Sequence, residues 1–178
     1  MNIEALQADK IEIVVSNVAA DFEAAADLID KRDDNAHPLD RNLFYGAHTL
    51  VVARYHQQVI GCAVIKSISG LPQGVGECGF LVVSPQYRRI GIARRLTQKR
   101  LEVARQQGLH FLFATVRDEN HASRANLLHS GWQFWGNYLS VRGTGNTIGW
   151  YYYSLDTTIN AHAVMTGLVG DRVLVNRS

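Results

Sequence analysis

The sequence predicts a mixed α/β fold, a single domain in which a central mixed sheet of about seven strands is flanked by helices. Three observations lead there. Short apolar runs bounded by Gly, Pro and polar residues recur along most of the 178 residues. Between the strand-like residues 78–83 and 109–116 lies one long helical segment, the layout of a parallel crossover. No Pro/Gly/Ser-rich linker or charge block divides the chain, and its length suits one substantial core. The domain is placed at residues 1–155, with 156–178 an extension packed on it or lying at a subunit contact.

The elements follow in order. Residues 11–16 (IEIVVS) read as a strand, and 21–30 as an amphipathic helix with Phe22, Ala25, Ala26 and Ile29 at near-helical spacing. Residues 31–40 are polar and end in His37-Pro38 and two further residues, a loop or a broken second helix. Residues 50–55 and 59–67 read as strands joined in a hairpin at His56-Gln57-Gln58, and 70–76 as a turn-rich loop. Residues 78–83 form a buried strand that Ser84 and Pro85 stop, and a basic turn then opens a helix that Gly108 ends. On that helix Ile92, Leu96 and Val103 share a stripe beside Ala93 and Ala104, whereas Leu101 falls opposite, toward a neighbour or solvent.

Residues 109–116 (LHFLFATV) read as a buried strand parallel to 78–83. Asn120 is the expected N-cap of a helix running to Ser130, with Gly131 closing it. Residues 134–141 and 149–155 complete the strands around the glycine-rich loop 142–146. Trp150-Tyr151-Tyr152-Tyr153 alternates faces there, so one side packs in the core. The apolar cluster 169–175 suits another strand or a subunit contact, which leaves a homodimer open.

Several function classes are disfavoured. Gly74-x-Gly76-x-x-Gly79 copies the dinucleotide fingerprint, but a loop precedes it and a strand follows, the reverse of what that motif needs. No Gly-Lys-Ser/Thr ending makes a P-loop, no Gly-x-Ser-x-Gly elbow is present, and seven histidines show no metal-ligand spacing, so no metal is expected. Cys62 and Cys78 sit in apolar segments and read as reduced core thiols of a cytoplasmic protein. The N-terminus lacks signal-peptide character, and no apolar run reaches the ~20 residues of a membrane span.

Charge is asymmetric although the net is only +2. Residues 88–105 hold seven basic residues against Glu102, a local +6, and the first forty hold ten acids against three bases, a local −7. The acids Asp21, Glu23, Asp27 and Asp30 line the wet face of a helix or form a wall that attracts a cationic acceptor. The basic residues crowd a helix start. Like charge is unfavourable at the positive end of the macrodipole, by roughly 0.3 to 1 kcal/mol each, and a docked anion reverses the sign. Small Gly91 and Ala93 let a phosphate reach the backbone, so a polyphosphate is the natural ligand. Nucleic acid is disfavoured, because no recognition motif accompanies the charge.

With strand, turn and helix in place, the chain resembles the GNAT superfamily of acyl-CoA-dependent N-acyltransferases over about residues 11–155. Val83-x-Pro85-x-x-Arg88-x-x-Gly91-x-Ala93 matches the family's central segment, and the span from Asn120 to Gly131-Trp132 resembles its second cofactor segment. The resemblance implies a sheet splayed between residues 80–83 and 111–115, and acetyl-CoA as co-substrate. Its pyrophosphate would lie on the turn Arg88, Arg89, Ile90, Gly91, Ile92, Ala93 and Arg94, and its pantetheine along Leu81, Val82 and Val83, near Asn120. A backbone N–H near Val82 would stabilise the oxyanion.

Glu77 falls where many members carry the base that takes the amine proton. The usual tyrosine acid would fall on Leu127, which cannot serve, so Tyr138, His129 or solvent takes that role. The expected function is transfer of acetyl to a primary amine, of a small cationic molecule, by direct attack. The alternative is a GNAT-fold acyl-CoA sensor or interaction module without turnover.

Overall fold

The computed structural model describes residues 8–32, 38–66 and 68–178; part of the expected loop 31–40 and Ser67 of the expected strand 59–67 lie outside them. The elements are β1 (Glu12–Ser16), α1 (Ala19–Asp30), α2 (Arg41–Ala47), β2 (His48–Tyr55), β3 (Gln58–Lys66), β4 (Val75–Val83), α3 (Ile92–Gln106), β5 (Phe111–Arg117), α4 (His121–His129), β6 (Gln133–Leu139), β7 (Thr147–Ser154), α5 (Ala161–Val169) and β8 (Leu174–Asn176). They build one mixed sheet of eight strands in the order β1-β2-β3-β4-β5-β7-β6-β8. The eighth strand arises from the apolar C-terminal cluster. By contacts the chain divides into two compact units, one running to Ser69 with Gly79–Val103, the other Gly70–Cys78 with Ala104–Ser178. Strand β4 contributes to both.

In the first unit β1, β2 and β3 pair antiparallel, from Glu12↔Arg54 to Ser16↔Leu50 and from His48↔Lys66 to Tyr55↔Gln58. The hairpin turns on His56 and Gln57 alone, both at positive φ (47° and 66°), so Gln58 already belongs to β3. That is the two-residue twist a right-handed ribbon favours. Strands β2 and β3 are covered on both faces, which is why they read as continuous apolar runs. Leu50, Val52, Cys62 and Val64 pack with Phe22, Ala25, Ala26, Ile29 and Phe44, while Val51, Ala53, Ile60 and Ala63 pack with Ile92 and Leu96.

Helix α2 went unforeseen because seven residues around Gly46 show too little period; Asp40 caps it by accepting from Asn42 N at 3.1 Å and Leu43 N at 3.3 Å. Of the two alternatives for Leu101, a neighbour or solvent, solvent is excluded: it is buried, 7% exposed, so α3 is covered over a broader arc than one stripe.

In the second unit β4 starts at Val75, three residues before the expected start. Gly74, at φ +78°, presents its carbonyl to His110 N at 2.7 Å, and the parallel ladder runs from Val75↔Phe111 to Cys78↔Ala114. The glycine fingerprint therefore lies around and inside a strand, which excludes the dinucleotide reading. Strand β7 pairs with β5 and β6, and Trp150 and Tyr152 stack on Phe113 and Phe111, on the face that α5 covers with Met165 and Val169. Tyr151 meets Phe134, and Tyr153 meets Trp132, so the aromatic run alternates as the strand period requires. Asn120 caps α4 by accepting from Ser123 N at 3.2 Å, and Gly131 closes it at φ +86°.

Candidate functional site

The basic turn is built from a strand end. After β4, Pro85–Tyr87 form a single 3-10 turn, Arg89 and Gly91 take positive φ (65° and 86°), and α3 begins at Ile92 with Arg95 N donating to Gly91 O at 3.1 Å. The N–H groups of the first helical turn precede any intrahelical acceptor, and they open beside Gly91. A Cβ built on Gly91 meets nothing within 4 Å. Glycine is therefore required by φ, and open space in front of the helix start is left for a ligand. Ile92 is buried, Ile90 and Ala93 half-buried, and Arg88, Arg89 and Arg94 exposed.

The seven basic residues do not act as one patch. Arg88 Nε donates to Val83 O at 2.9 Å, which pins the turn to the strand it leaves. Arg95 is turned away, donating to Ala8 O at 3.2 Å and Ile11 O at 2.7 Å. Arg100 is buried at 2% exposure, and Lys99 pairs with Glu102 at 3.1 Å. Exposed charge at the helix start thus reduces to Arg88, Arg89 and Arg94, a concentrated cluster rather than a basic stripe.

Strand β4 is kinked in the same unit. Phe80 takes φ +50° in mid-strand, a conformation that is unusual for a bulky residue. Cys62 Sγ donates to Phe80 O at 3.5 Å and accepts from Val82 N–H. Ser84 N likewise donates to Ile60 O of β3 at 2.8 Å. Val82 N–H is thus engaged toward β3, and strand alternation turns the N–H of Leu81 the other way. The Phe80 ring lies under Lys66 Nζ at 5.0 Å and Arg32 at 5.7 Å, with Phe44 edge-on at 6.0 Å. Neither the kink nor the burial of Arg100 has a signal in the sequence.

The remaining candidates fall in the second unit. Glu77 is half-buried on β4, in register with Phe113 of β5. Asn120 carries its capping bond. Leu127 is buried, so no proton donor occupies that helix position, and His129 is exposed at the end of α4. Tyr138 is 5% exposed in the cluster of Trp150, Met165 and Val169 under α5.

The acidic helix face is largely committed to structure. Asp21 accepts from the Ser16 hydroxyl and pairs with Arg54. Glu23, Asp27 and Asp30 surround Arg41 of α2 at 3.1, 2.8 and 2.9 Å. The Leu39 backbone N–H and then Arg41 hold the Asp30 carboxyl below the usual carboxylate range. Three carboxylates on one guanidinium still leave a local charge of −2. No cluster of three metal-ligating side chains occurs, and no helix is long and apolar enough to cross a membrane, among the described residues. Both cysteines are buried and neither is in a disulfide.

Comparisons with known proteins agree with this architecture. The chain is similar in structure to an N-acetyltransferase from Staphylococcus aureus Mu50, with TM-score 0.70, 19% identity, and 82% of this chain and 99% of that one covered. It is similar to a phosphinothricin acetyltransferase from Sinorhizobium meliloti in complex with acetyl-CoA, with TM-score 0.71, 17% identity, and 85% and 92% covered. A ribosomal-protein-alanine N-acetyltransferase from Brucella melitensis matches at TM-score 0.69 and 21% identity, over 81% and 99%. No curated protein sequence matches the chain significantly. The acetyltransferase (GNAT) family profile matches residues 16–132, about two thirds of the chain, and the protein therefore belongs to the GNAT family of acyl-CoA-dependent acetyltransferases.

Proposed function

We propose that the protein transfers acetyl from acetyl-CoA to a primary amine by direct attack, with the pyrophosphate bound at the Arg88–Arg94 turn. The observation that carries the donor site is Gly91: a positive-φ glycine facing open space at the start of α3, beside three exposed arginines. Acetyl-CoA fits that set by chemistry, since its diphosphate and 3′-phosphate need N–H donors and cations together. Pantetheine would lie along Leu81, Val82 and Val83, the part of β4 beyond the end of the parallel ladder, with Asn120 a further contact.

In the reaction the amine nitrogen bonds to the thioester carbonyl carbon, the C–S bond breaks, and CoA leaves as thiolate. Glu77 takes the amine proton directly or through water. With Leu127 apolar and Tyr138 in the core, the thiolate takes its proton from solvent. The carbonyl oxygen gathers charge on the way, and the Leu81 N–H is the donor aimed away from β3 to meet it. A small cationic acceptor is supported by the residual −2 that Glu23, Asp27 and Asp30 leave beside Arg41. Two buried cysteines outside any disulfide support a reducing, cytoplasmic setting.

The test is calorimetry with acetyl-CoA followed by a panel of small amines, amino acids, polyamines and peptides, reading CoA release. Saturable acetyl-CoA binding and turnover of a cationic amine are expected. Failure to bind acetyl-CoA would overturn the reading, and turnover confined to peptides or acidic amines would overturn the acceptor class.

A further inference from the structure

Two buried side chains touch the backbone of β4 at its kink, and the acyl-transfer chemistry described above uses neither. Cys62 on β3 is fully buried, donates to Phe80 O at 3.5 Å and accepts from Val82 N–H, so one thiol satisfies the polar groups on both sides of Leu81. Arg100, in the middle of α3, is also buried and donates from Nη1 to Gly79 O at 3.2 Å and Val64 O at 3.4 Å, while its Nε has no hydrogen-bond partner among the described residues. Burying a guanidinium to serve backbone carbonyls is costly, and leucine or methionine would fill the space without that penalty.

The cost has a local explanation. A residue at φ +50° breaks the run of ladder bonds around itself, which leaves backbone groups that must be satisfied or lost to strain. Here Gly79 O goes to Arg100, Phe80 O goes to Cys62, and Val82 N–H goes to Cys62. Gly61, next to Cys62, allows the close approach: a Cβ there would lie 3.2 Å from Val82 O and 3.3 Å from Leu96 Cδ1.

We propose that Cys62 and Arg100 are positioning residues that hold the β4 kink and thereby aim the Leu81 N–H at the thioester carbonyl. The proposal rests on the acetyl-transfer reading above. A serine at position 62 keeps a donor and an acceptor in the same place, whereas alanine removes both and leaves Phe80 O and Val82 N–H unpaired. Arg100→Met keeps the length and bulk of the side chain but removes the bonds to Gly79 O and Val64 O.

Acetyl-CoA labelled with 13C at the thioester carbonyl, bound to wild type, Cys62→Ser, Cys62→Ala and Arg100→Met, provides the test by isotope-edited infrared spectroscopy and by steady-state kinetics. In wild type and Cys62→Ser the bound carbonyl band should sit below that of free acetyl-CoA. In Cys62→Ala it should move back toward the free position, with kcat lowered about 10- to 100-fold and the acetyl-CoA dissociation constant within about threefold of wild type. Arg100→Met should show the same direction if it folds, and Cys62→Ala decides the matter if it does not.

An unshifted carbonyl band in Cys62→Ala, with wild-type kcat, would overturn the assignment while acetyl transfer itself stands. Loss of acetyl-CoA affinity and of thermal stability in step with kcat would also overturn it, because it would show a general structural role. Absence of acetyl-CoA binding in wild type would instead remove the reading on which the assignment rests.

Discussion

Arg88 Nε donates to Val83 O at 2.9 Å, so the first arginine of the basic turn is tied to the last residue of the strand that precedes it. This bond fixes where the turn leaves the sheet. Arg88→Ala should therefore weaken acetyl-CoA binding both by lost charge and by a looser turn, by about 5- to 50-fold. Arg95→Ala is the contrast, since Arg95 is bound to Ala8 O and Ile11 O. It should leave the dissociation constant nearly unchanged and lower thermal stability. Calorimetry at two salt concentrations separates the two, because the affinity lost in Arg88→Ala shrinks as salt rises.

Gly91 makes a second test of the donor site. At φ +86° any other L-residue strains the backbone, and alanine should cost about 1 to 2 kcal/mol of stability. A valine adds bulk to the open space in front of α3, so Gly91→Val should also abolish measurable acetyl-CoA binding while the protein remains folded by circular dichroism. Retained binding in a folded Gly91→Val variant would place the pyrophosphate elsewhere.

Glu77→Gln isolates proton removal. The amide is isosteric but is not a base, so acetyl-CoA affinity should persist while kcat falls about 100-fold. The loss should be greatest at neutral pH and should shrink as pH rises, because an alkylamine with a pKa of about 10.4 then arrives already neutral. Wild-type turnover across the whole pH range would remove Glu77 from the mechanism.

Cys62 gives a stability prediction with a definite sign. Burial, opposed in part by the Val82 N–H, pushes its thiol up from an ordinary value of 9.0 to about 12. The folded protein keeps the proton where the unfolded chain has released it, so this contribution is full below pH 9 and declines as pH rises toward the folded value. Between pH 8 and 10.5 wild type should lose about 1 to 2 kcal/mol relative to Cys62→Ser, measured by urea unfolding. Equal pH dependence in the two proteins would show that the thiol ionises alike in both states.

How far the sequence carries depends on the range of the interactions concerned. The strand-turn-helix unit around Gly91, the caps Asn120 and Gly131, and the hairpin of β2 and β3 are local, written in periodicity, small residues and turn chemistry, and they were legible. Helix α2 was too short for periodicity to show, and Leu101 stayed open between a neighbour and solvent because one stripe underestimates the arc that a helix buries.

Tertiary structure alone decided how the polar residues are spent. Seven basic residues crowd one segment of the sequence, yet folding turns Arg95 to the start of β1 and buries Arg100 beneath β4, so that only Arg88, Arg89 and Arg94 remain exposed at the helix start. It likewise bound the acids of α1 to Arg41 and Arg54, packed Tyr138 under α5, and kinked β4 at Phe80 over Cys62. The sequence by itself determined the class of fold and the strand-turn-helix around Gly91, because helix starts and glycine turns are set by neighbours a few residues apart. Which arginines stay exposed and which backbone groups of β4 are engaged depend on partners as many as 87 residues distant along the chain, and only the folded backbone brings those together.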